Sequence, residues 1–454
     1  MLKTDRFIFV LSLALFGLVN GCSPTPKTTL SPNSEGPKIS ENKAESLIND
    51  ENYAPKNQIK PVVALSPENP QSETNKKVEN YVNKLSEQGF LKTGQGVWIE
   101  ANDVLLANHQ GTLALPAASV TKAATSLAVL QTYGPDKQFI TEIGTTGPIE
   151  NGVLQGDLVI QGGEDPFFVW EEAMAIGNIL NEKGIKQVKG NLVIVGKFYM
   201  NFETKPETSG NFLKEALNNK NWPAEAEDQY QTLPPGTPKP EVVINGTVQV
   251  VATPPSSVKP LIRHYSFPVA ELLKKMNMYS NNLMAEMLAD AVGGAKAVSQ
   301  KTAEAAGVPT AEIQLINGSG LGEENRISPR AAVGIFKAIE QYLKPYNMTI
   351  ADIFSITGKD VGVLESRPLP AQMVIKTGTL NRVSSLAGAM PTKELETVWV
   401  AIMNTGENQE GFRNEQEIFL KSLLTNWGAV STSPAELTPN AERKNKTSSN
   451  EVLN

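Results

Sequence analysis

The chain carries two histidines and one cysteine. His109, His264 and Cys22 supply neither a set of metal ligands nor a Ser-His-Asp arrangement, so a serine activated here needs a different base. Lysine can be that base when its ammonium is desolvated and its pKa lowered. The pattern that sets the two side chains against each other on a helix is Ser-x-x-Lys. It occurs at Ser40-Glu41-Asn42-Lys43, Ser119-Val120-Thr121-Lys122 and Ser256-Ser257-Val258-Lys259. Ser40 lies in a polar stretch and Ser256 in a Pro-rich turn, whereas Ser119 opens a helical run whose Ala123, Ala124, Leu127, Ala128 and Leu130 are apolar almost all round. There Lys122 falls one turn beyond the hydroxyl, and free backbone N–H groups at the helix start face any charge developing near Ser119. A serine in that place serves equally well as a helix N-cap.

Two further elements could complete a proton-transfer site. Ser-x-Asn occurs in a folded context as Ser280-Asn281-Asn282, between helical segments; a hydroxyl there can relay a proton, and the Asn282 amide can bind both a lysine and a substrate peptide bond. The same residues also read as a polar helix break. Lys-Thr-Gly occurs at Lys92-Thr93-Gly94 and Lys376-Thr377-Gly378. The second copy follows Met373-Val374-Ile375 and precedes Thr379-Leu380, as on a strand. Beside a nucleophile, Gly378 would let substrate backbone approach, Lys376 would supply positive field, and the Thr377 and Thr379 hydroxyls could hold a terminal carboxylate. The Lys92 copy reads as a turn before a strand.

The elements that must position these residues are preceded by a leader. Lys3 and Arg6 precede an apolar stretch from Phe7 to Val19, too short to span a bilayer comfortably and typical of a signal peptide, which ends at Val19-Asn20-Gly21-Cys22. We therefore expect residues 1–21 to be a signal peptide, with Cys22 as a lipid-attachment site, and residues 22–74 to be a disordered tether rich in Pro, Ser, Asn, Lys and Glu. A helix is expected over Asn75 to Gln88. Two strands at Val97–Glu100 and Val104–Ala107 follow, joined by a turn at Ala101-Asn102-Asp103. Residues 75–137 and 261–430 read as two parts of one catalytic domain, an antiparallel sheet covered by helices, and residues 138–260 as an inserted, smaller α+β domain. The tail, 431–454, has the composition of the tether and is expected to be disordered. With 40% hydrophobic residues, a net charge of −7 and no basic block, the chain offers no surface for nucleic acid and too little apolar sequence for an integral membrane protein.

Taken in order, Ser-x-x-Lys, Ser-x-Asn and Lys-Thr-Gly resemble the triplet shared by penicillin-binding proteins and class A β-lactamases. The long gap between the first two resembles the D-alanyl-D-alanine carboxypeptidase/endopeptidase family of low-molecular-mass class C penicillin-binding proteins. Pro116-Ala117-Ala118-Ser119, Gly162-Gly163-Glu164-Asp165-Pro166, Gly318-Ser319-Gly320-Leu321, Arg326-Ile327-Ser328-Pro329 and Lys376-Thr377-Gly378-Thr379-Leu380 also look like that family. Glu164 departs from its usual glycine, and Asn317 from its usual aspartate. The resemblance implies a penicilloyl-serine transferase fold and a serine enzyme that cleaves D-Ala-D-Ala-type peptidoglycan stem peptides and is inhibited by β-lactams; with the leader, the enzyme is expected to be exported and lipid-anchored through Cys22. It implies Ser119, Lys122 and Ser280 as catalytic residues, Asn282, Lys376, Thr377, Gly378 and Thr379 as substrate-binding residues, and neither metal nor cofactor. A β-lactamase and a catalytically silent peptidoglycan-binding lipoprotein are the rival readings.

Overall fold

The computed structural model describes residues 59–453. The signal peptide, Cys22 and Ser40 lie outside them. One antiparallel sheet has six strands in the order Ser355–Ile356, Val374–Leu380, Val383–Pro391, Thr397–Thr405, Gln95–Ala101, Val104–His109. The expected turn between the last two pairs Asn102 and Asp103, both at positive φ (49° and 57°), the backbone twist that a two-residue hairpin favours.

Successive side chains on a strand point to opposite faces, so a sheet covered on both faces must be apolar at both parities. Along Thr397–Thr405, Val398, Val400 and Ile402 enter one core with the helices Ser72–Glu87 and Gln409–Trp427. Trp399, Ala401 and Met403 enter the other, which is built around the helices Thr121–Tyr133 and Pro329–Leu343. Every residue from Thr121 to Leu130 is buried, as the lack of a polar stripe requires. The helices Val269–Met278, Asn282–Ala291 and Gly294–Ala306 complete that layer.

The inserted region has its own core, including Leu158, Ile160, Met174, Leu192, Ile194 and Leu213. Its larger sheet is mixed, in the order Val248–Val251, Leu192–Lys197, Leu158–Gly163, Ile140–Thr145, Lys259–Tyr265, Ser449–Val452. The last of these strands comes from the tail expected to be disordered. Leu437 is fully buried in the main core, and Arg443, 8% exposed, binds Glu271 and Asp136 at 2.7 Å. Ser449–Val452 then pairs antiparallel with Lys259–Tyr265. One buried leucine contributes only about 2–3 kcal/mol. The tail is therefore held largely by ion pairs and a strand ladder, which hydrophobic periodicity does not report.

The tether expectation needs a similar correction at its end. Ile59, Val62, Ala64 and Leu65 pack on the main core, the Val62 amide donates to the Ala305 carbonyl at 2.9 Å, and the first helix begins at Ser72.

Candidate active site

Ser119 stands in a 3-10 turn, Ala118–Val120, that runs directly into the helix Thr121–Tyr133. The turn is tight: Ala118, though not glycine, has φ of 46°, a conformation that costs of order 1–3 kcal/mol and persists only when its surroundings enforce it. Two glycines enforce it. A Cβ on Gly320, itself at φ +83°, would lie 1.9 Å from the Ala118 carbonyl oxygen. A Cβ on Gly378 would lie 2.5 Å from the Ala117 carbonyl oxygen and 2.8 Å from the Ser119 nitrogen. The Ser385 hydroxyl, from the neighbouring strand, donates to that Ala117 carbonyl at 2.6 Å. Ser119 itself stays partly exposed, so its hydroxyl is reachable. No N-cap hydrogen bond forms there, which sets aside the capping role.

Lys122 is completely buried. Its Nζ lies 2.9 Å from Ser119 Oγ, 2.7 Å from Asn282 Oδ1 and 2.8 Å from the Ser319 carbonyl oxygen. Burial first, and then the nearby positive charge of Lys376, push its pKa well below the ordinary lysine value, against a smaller pull from Glu286. A neutral amine has two protons and one lone pair. Two of its neighbours, the Asn282 amide oxygen and the Ser319 carbonyl, can only accept. In that neutral form the lone pair is left for Ser119, whose hydroxyl would then donate to it.

The Ser319 carbonyl is held by a carboxylate. Glu286, on the same helix as Asn282, accepts from the Gly318 and Ser319 amides at 2.9 and 3.0 Å, and the Gly318 carbonyl accepts from the Thr125 hydroxyl at 2.7 Å. Asn317 Oδ1 accepts from the Gly320 amide at 2.9 Å, so the turn is closed by an amide where the family usually has an aspartate. Sequence reasoning noted the Gly318-Ser319-Gly320 stretch without a role. The pairing of small residues was its one visible signal, and Glu286 had none.

Ser280 occupies the break between Val269–Met278 and Asn282–Ala291, at φ of 53°. The break is capped, since Asn281 accepts from the Met284 amide at 3.0 Å, and Ser280 Oγ takes a hydrogen bond from Lys376 Nζ at 3.1 Å. Lys376 also donates to the Thr377 carbonyl at 2.7 Å. It is 1% exposed, and burial lowers its pKa from 10.5 to about 7. Thr377 is buried; Thr379 is exposed at the mouth of the site, where its hydroxyl accepts from Arg413 Nη2 at 2.7 Å.

Direct hydrogen bonds join Ser119, Lys122 and Asn282 in one group and Ser280 and Lys376 in another, the charge of Lys376 acts on Lys122, and Gly378 packs on the Ser119 turn. The alternative copies do not join them. Lys92 lies in an exposed turn with Nζ on Asn83 Oδ1 at 2.6 Å, and Ser256 is exposed beside the strand Lys259–Tyr265. Glu164 has φ of 62°, which explains why a glycine suits that position, and its carboxylate pairs with Lys197 at 3.2 Å. Among the described residues no cluster of His, Cys, Asp and Glu could hold a metal ion.

The D-alanyl-D-alanine carboxypeptidase DacB of Haemophilus influenzae is 23% identical, over 68% of this chain and 85% of its own length. In three dimensions a predatory endopeptidase of Bdellovibrio bacteriovorus superposes with a TM-score of 0.65 at 20% identity, over 78% of this chain and 98% of that one. A penicillin G-acylated form of that endopeptidase superposes with a TM-score of 0.62. Penicillin binding protein 4 of H. influenzae gives 0.57 at 20% identity, over 77% of this chain and 99% of that one. The fold is accordingly of the penicilloyl-serine transferase type. A profile of the D-Ala-D-Ala carboxypeptidase 3 (S13) family matches residues 77–207 and 237–425, most of the chain, and with the site described above it identifies the protein as a member of that family, a serine DD-peptidase.

Proposed function

We propose that the protein cleaves the bond between two D-alanines, or the equivalent cross-link, in peptidoglycan stem peptides through an acyl-enzyme on Ser119. The observation that carries the reading is the buried Lys122 amine, whose two acceptor-only neighbours leave its lone pair for the Ser119 hydroxyl. Lys122 takes that proton as Oγ bonds to the scissile carbonyl carbon, with the backbone N–H groups of Ser119 and Thr379 receiving the oxyanion. As the C–N bond breaks, Ser280 gives its proton to the departing amine and is reprotonated from the Lys122 ammonium. Water, activated in turn by Lys122, hydrolyses the ester. Asn282 binds the peptide bond beside the scissile one, while Lys376 orients the Ser280 hydroxyl, and Thr377, Gly378 and Thr379 line the strand along which substrate lies.

β-Lactams present a strained amide to the same serine, and the penicillin G-acylated endopeptidase is a structural relative that supports extending this to Ser119. Export through residues 1–21 and anchoring at Cys22 would place the enzyme at the substrate, in the cell envelope. Incubation with a fluorescent penicillin, followed by peptide mass mapping, tests the reading: a long-lived adduct on Ser119, absent in Ser119→Ala, is expected. Rapid turnover of the drug would indicate a β-lactamase. No adduct would indicate a silent binder.

A further inference from the structure

Arg413 sits five residues into the helix Gln409–Trp427, near the end where the helix dipole disfavours a cation. It has no acidic partner among the described residues. Its Nη2 donates to Thr379 Oγ1 at 2.7 Å, and its Nε is buried without any hydrogen-bond partner. A neighbouring cation compounds the problem. Arg367, already paired with Glu417 at 3.0 Å, donates from Nη2 to the Arg413 carbonyl at 3.4 Å, so a second guanidinium shares the neighbourhood. A partly buried guanidinium with no counter-ion, against the dipole and next to another cation, is costly unless an anion arrives to pair with it.

We infer that Arg413 binds the carboxylate of the leaving amino acid, the group attached to the carbon next to the scissile nitrogen. This rests on the proposed peptidase reading and deepens it. Thr379 lies on the strand Val374–Leu380, one residue beyond Gly378, which packs against the nucleophile turn. Because the Thr379 hydroxyl accepts from Arg413, its own proton is free to be donated outward. The two side chains therefore present an O–H and guanidinium N–H groups side by side, a donor set that suits a carboxylate. A free terminal D-alanine carries such a carboxylate, and so does a cross-linked residue whose leaving nitrogen is on a D-amino acid carbon. The determinant thus selects the leaving group's α-carboxylate rather than the end of the chain as such. Arg413 would also grip the carboxylate of a penicillin.

The test compares two peptides that differ in one group, an acyl-D-Ala-D-Ala with a free carboxylate and its C-terminal amide, with kcat/KM measured on the full chain. The wild type is expected to prefer the acid. In Arg413→Met that acid-to-amide preference should fall at least tenfold, within the roughly 10- to 100-fold range for loss of a charge-assisted hydrogen bond. Arg413→Lys should fall between the two. A change in preference of less than tenfold overturns the inference, including the case in which both substrates lose activity together, because that is what a purely structural arginine would do. Should Arg413→Met fail to fold, Arg413→Gln, which keeps a donor to Thr379 without the charge, carries the same threshold. Failure of the underlying peptidase reading is seen separately, as a wild type that turns over neither peptide and forms no adduct on Ser119.

Discussion

Replacing Lys376 by methionine should damage the enzyme and, in acid, stabilise it. The ammonium is 1% exposed and its pKa falls from 10.5 to about 7 because burial penalises the charge. At 1.36 kcal/mol per pH unit, carrying that charge in the folded state costs about 5 kcal/mol at pH 6, where folded and unfolded forms are both protonated. Lys376→Met removes this cost and keeps most of the apolar stem. It also leaves the Thr377 carbonyl and the Ser280 hydroxyl without their donor, a loss of about 2–3 kcal/mol for one buried and one half-exposed group. The variant should therefore be more stable than the wild type at pH 6, by about 2 kcal/mol.

The sign changes in alkali. A group whose folded pKa is depressed adds stability as pH rises from the folded value towards the unfolded one, so between about pH 6 and pH 9 the wild type regains about 3 kcal/mol that the methionine variant cannot. The stability curves should cross between pH 6 and pH 9. Urea unfolding of both proteins at the two pH values reads this directly, with acylation by a fluorescent penicillin as the functional readout. The acylation rate should fall by about 10²–10³, as for loss of one preorganised donor, while Lys92→Ala, in its exposed turn, should leave that rate alone. Parallel stability curves, or equal losses of acylation at Lys92 and Lys376, would refute the account of a buried charge retained for chemistry.

Gly320→Ala places a methyl group 1.9 Å from the Ala118 carbonyl at a backbone φ of +83°, so it should lower stability by more than about 2 kcal/mol and abolish acylation by displacing Ser119, measurable by urea unfolding and penicillin labelling. His264 is fully buried, with Nε2 3.4 Å from an Asp165 carboxylate oxygen in a charge contact and Nδ1 on Asn450 Oδ1 at 2.9 Å. Burial alone would lower its pKa, yet Asp165 and Glu172 outweigh it and leave the value raised. The stabilisation is then complete below the unfolded value of about 6.5 and is lost as pH rises through the folded one, so the midpoint difference between wild type and His264→Gln should shrink from pH 6 to pH 8.5.

The residues proposed for the chemistry were legible because their types are rare in combination and their settings differ. Ser119 was separable from Ser40 and Ser256 by the apolar helix behind it, and Lys376 from Lys92 by the apolar residues before it. The parts that were not legible are held by contacts without a period. Arg443 reaches back 307 residues to Asp136 and 172 to Glu271, and the Ser449–Val452 strand is polar but for Val452, its partner strand supplying the hydrogen bonds. A segment secured by charge and by ladder bonds to a distant strand has the composition of a disordered one.

The hidden half of the site follows the same rule. The Ser-x-x-Lys motif is positioned by residues outside the three motifs: the Ser319 carbonyl that orients Lys122 depends on Glu286, and the Ser119 turn depends on Ser385 and Gly320. These act through backbone atoms, which any sequence presents. The demand placed on them is nevertheless specific. With both Lys122 and Lys376 out of water, each ammonium raises the cost of the other, and burial with that repulsion favours losing a proton from Lys122, whose two acceptors remain satisfied as a neutral amine. Shift the Ser319 carbonyl by an ångström and the neutral amine has only one acceptor, so nothing reserves its lone pair for Ser119. On the proposed mechanism the nucleophile is thus set by the geometry of a loop nearly two hundred residues away in the chain, and Glu286, which holds that loop, would be as necessary to the proton transfer as Lys122.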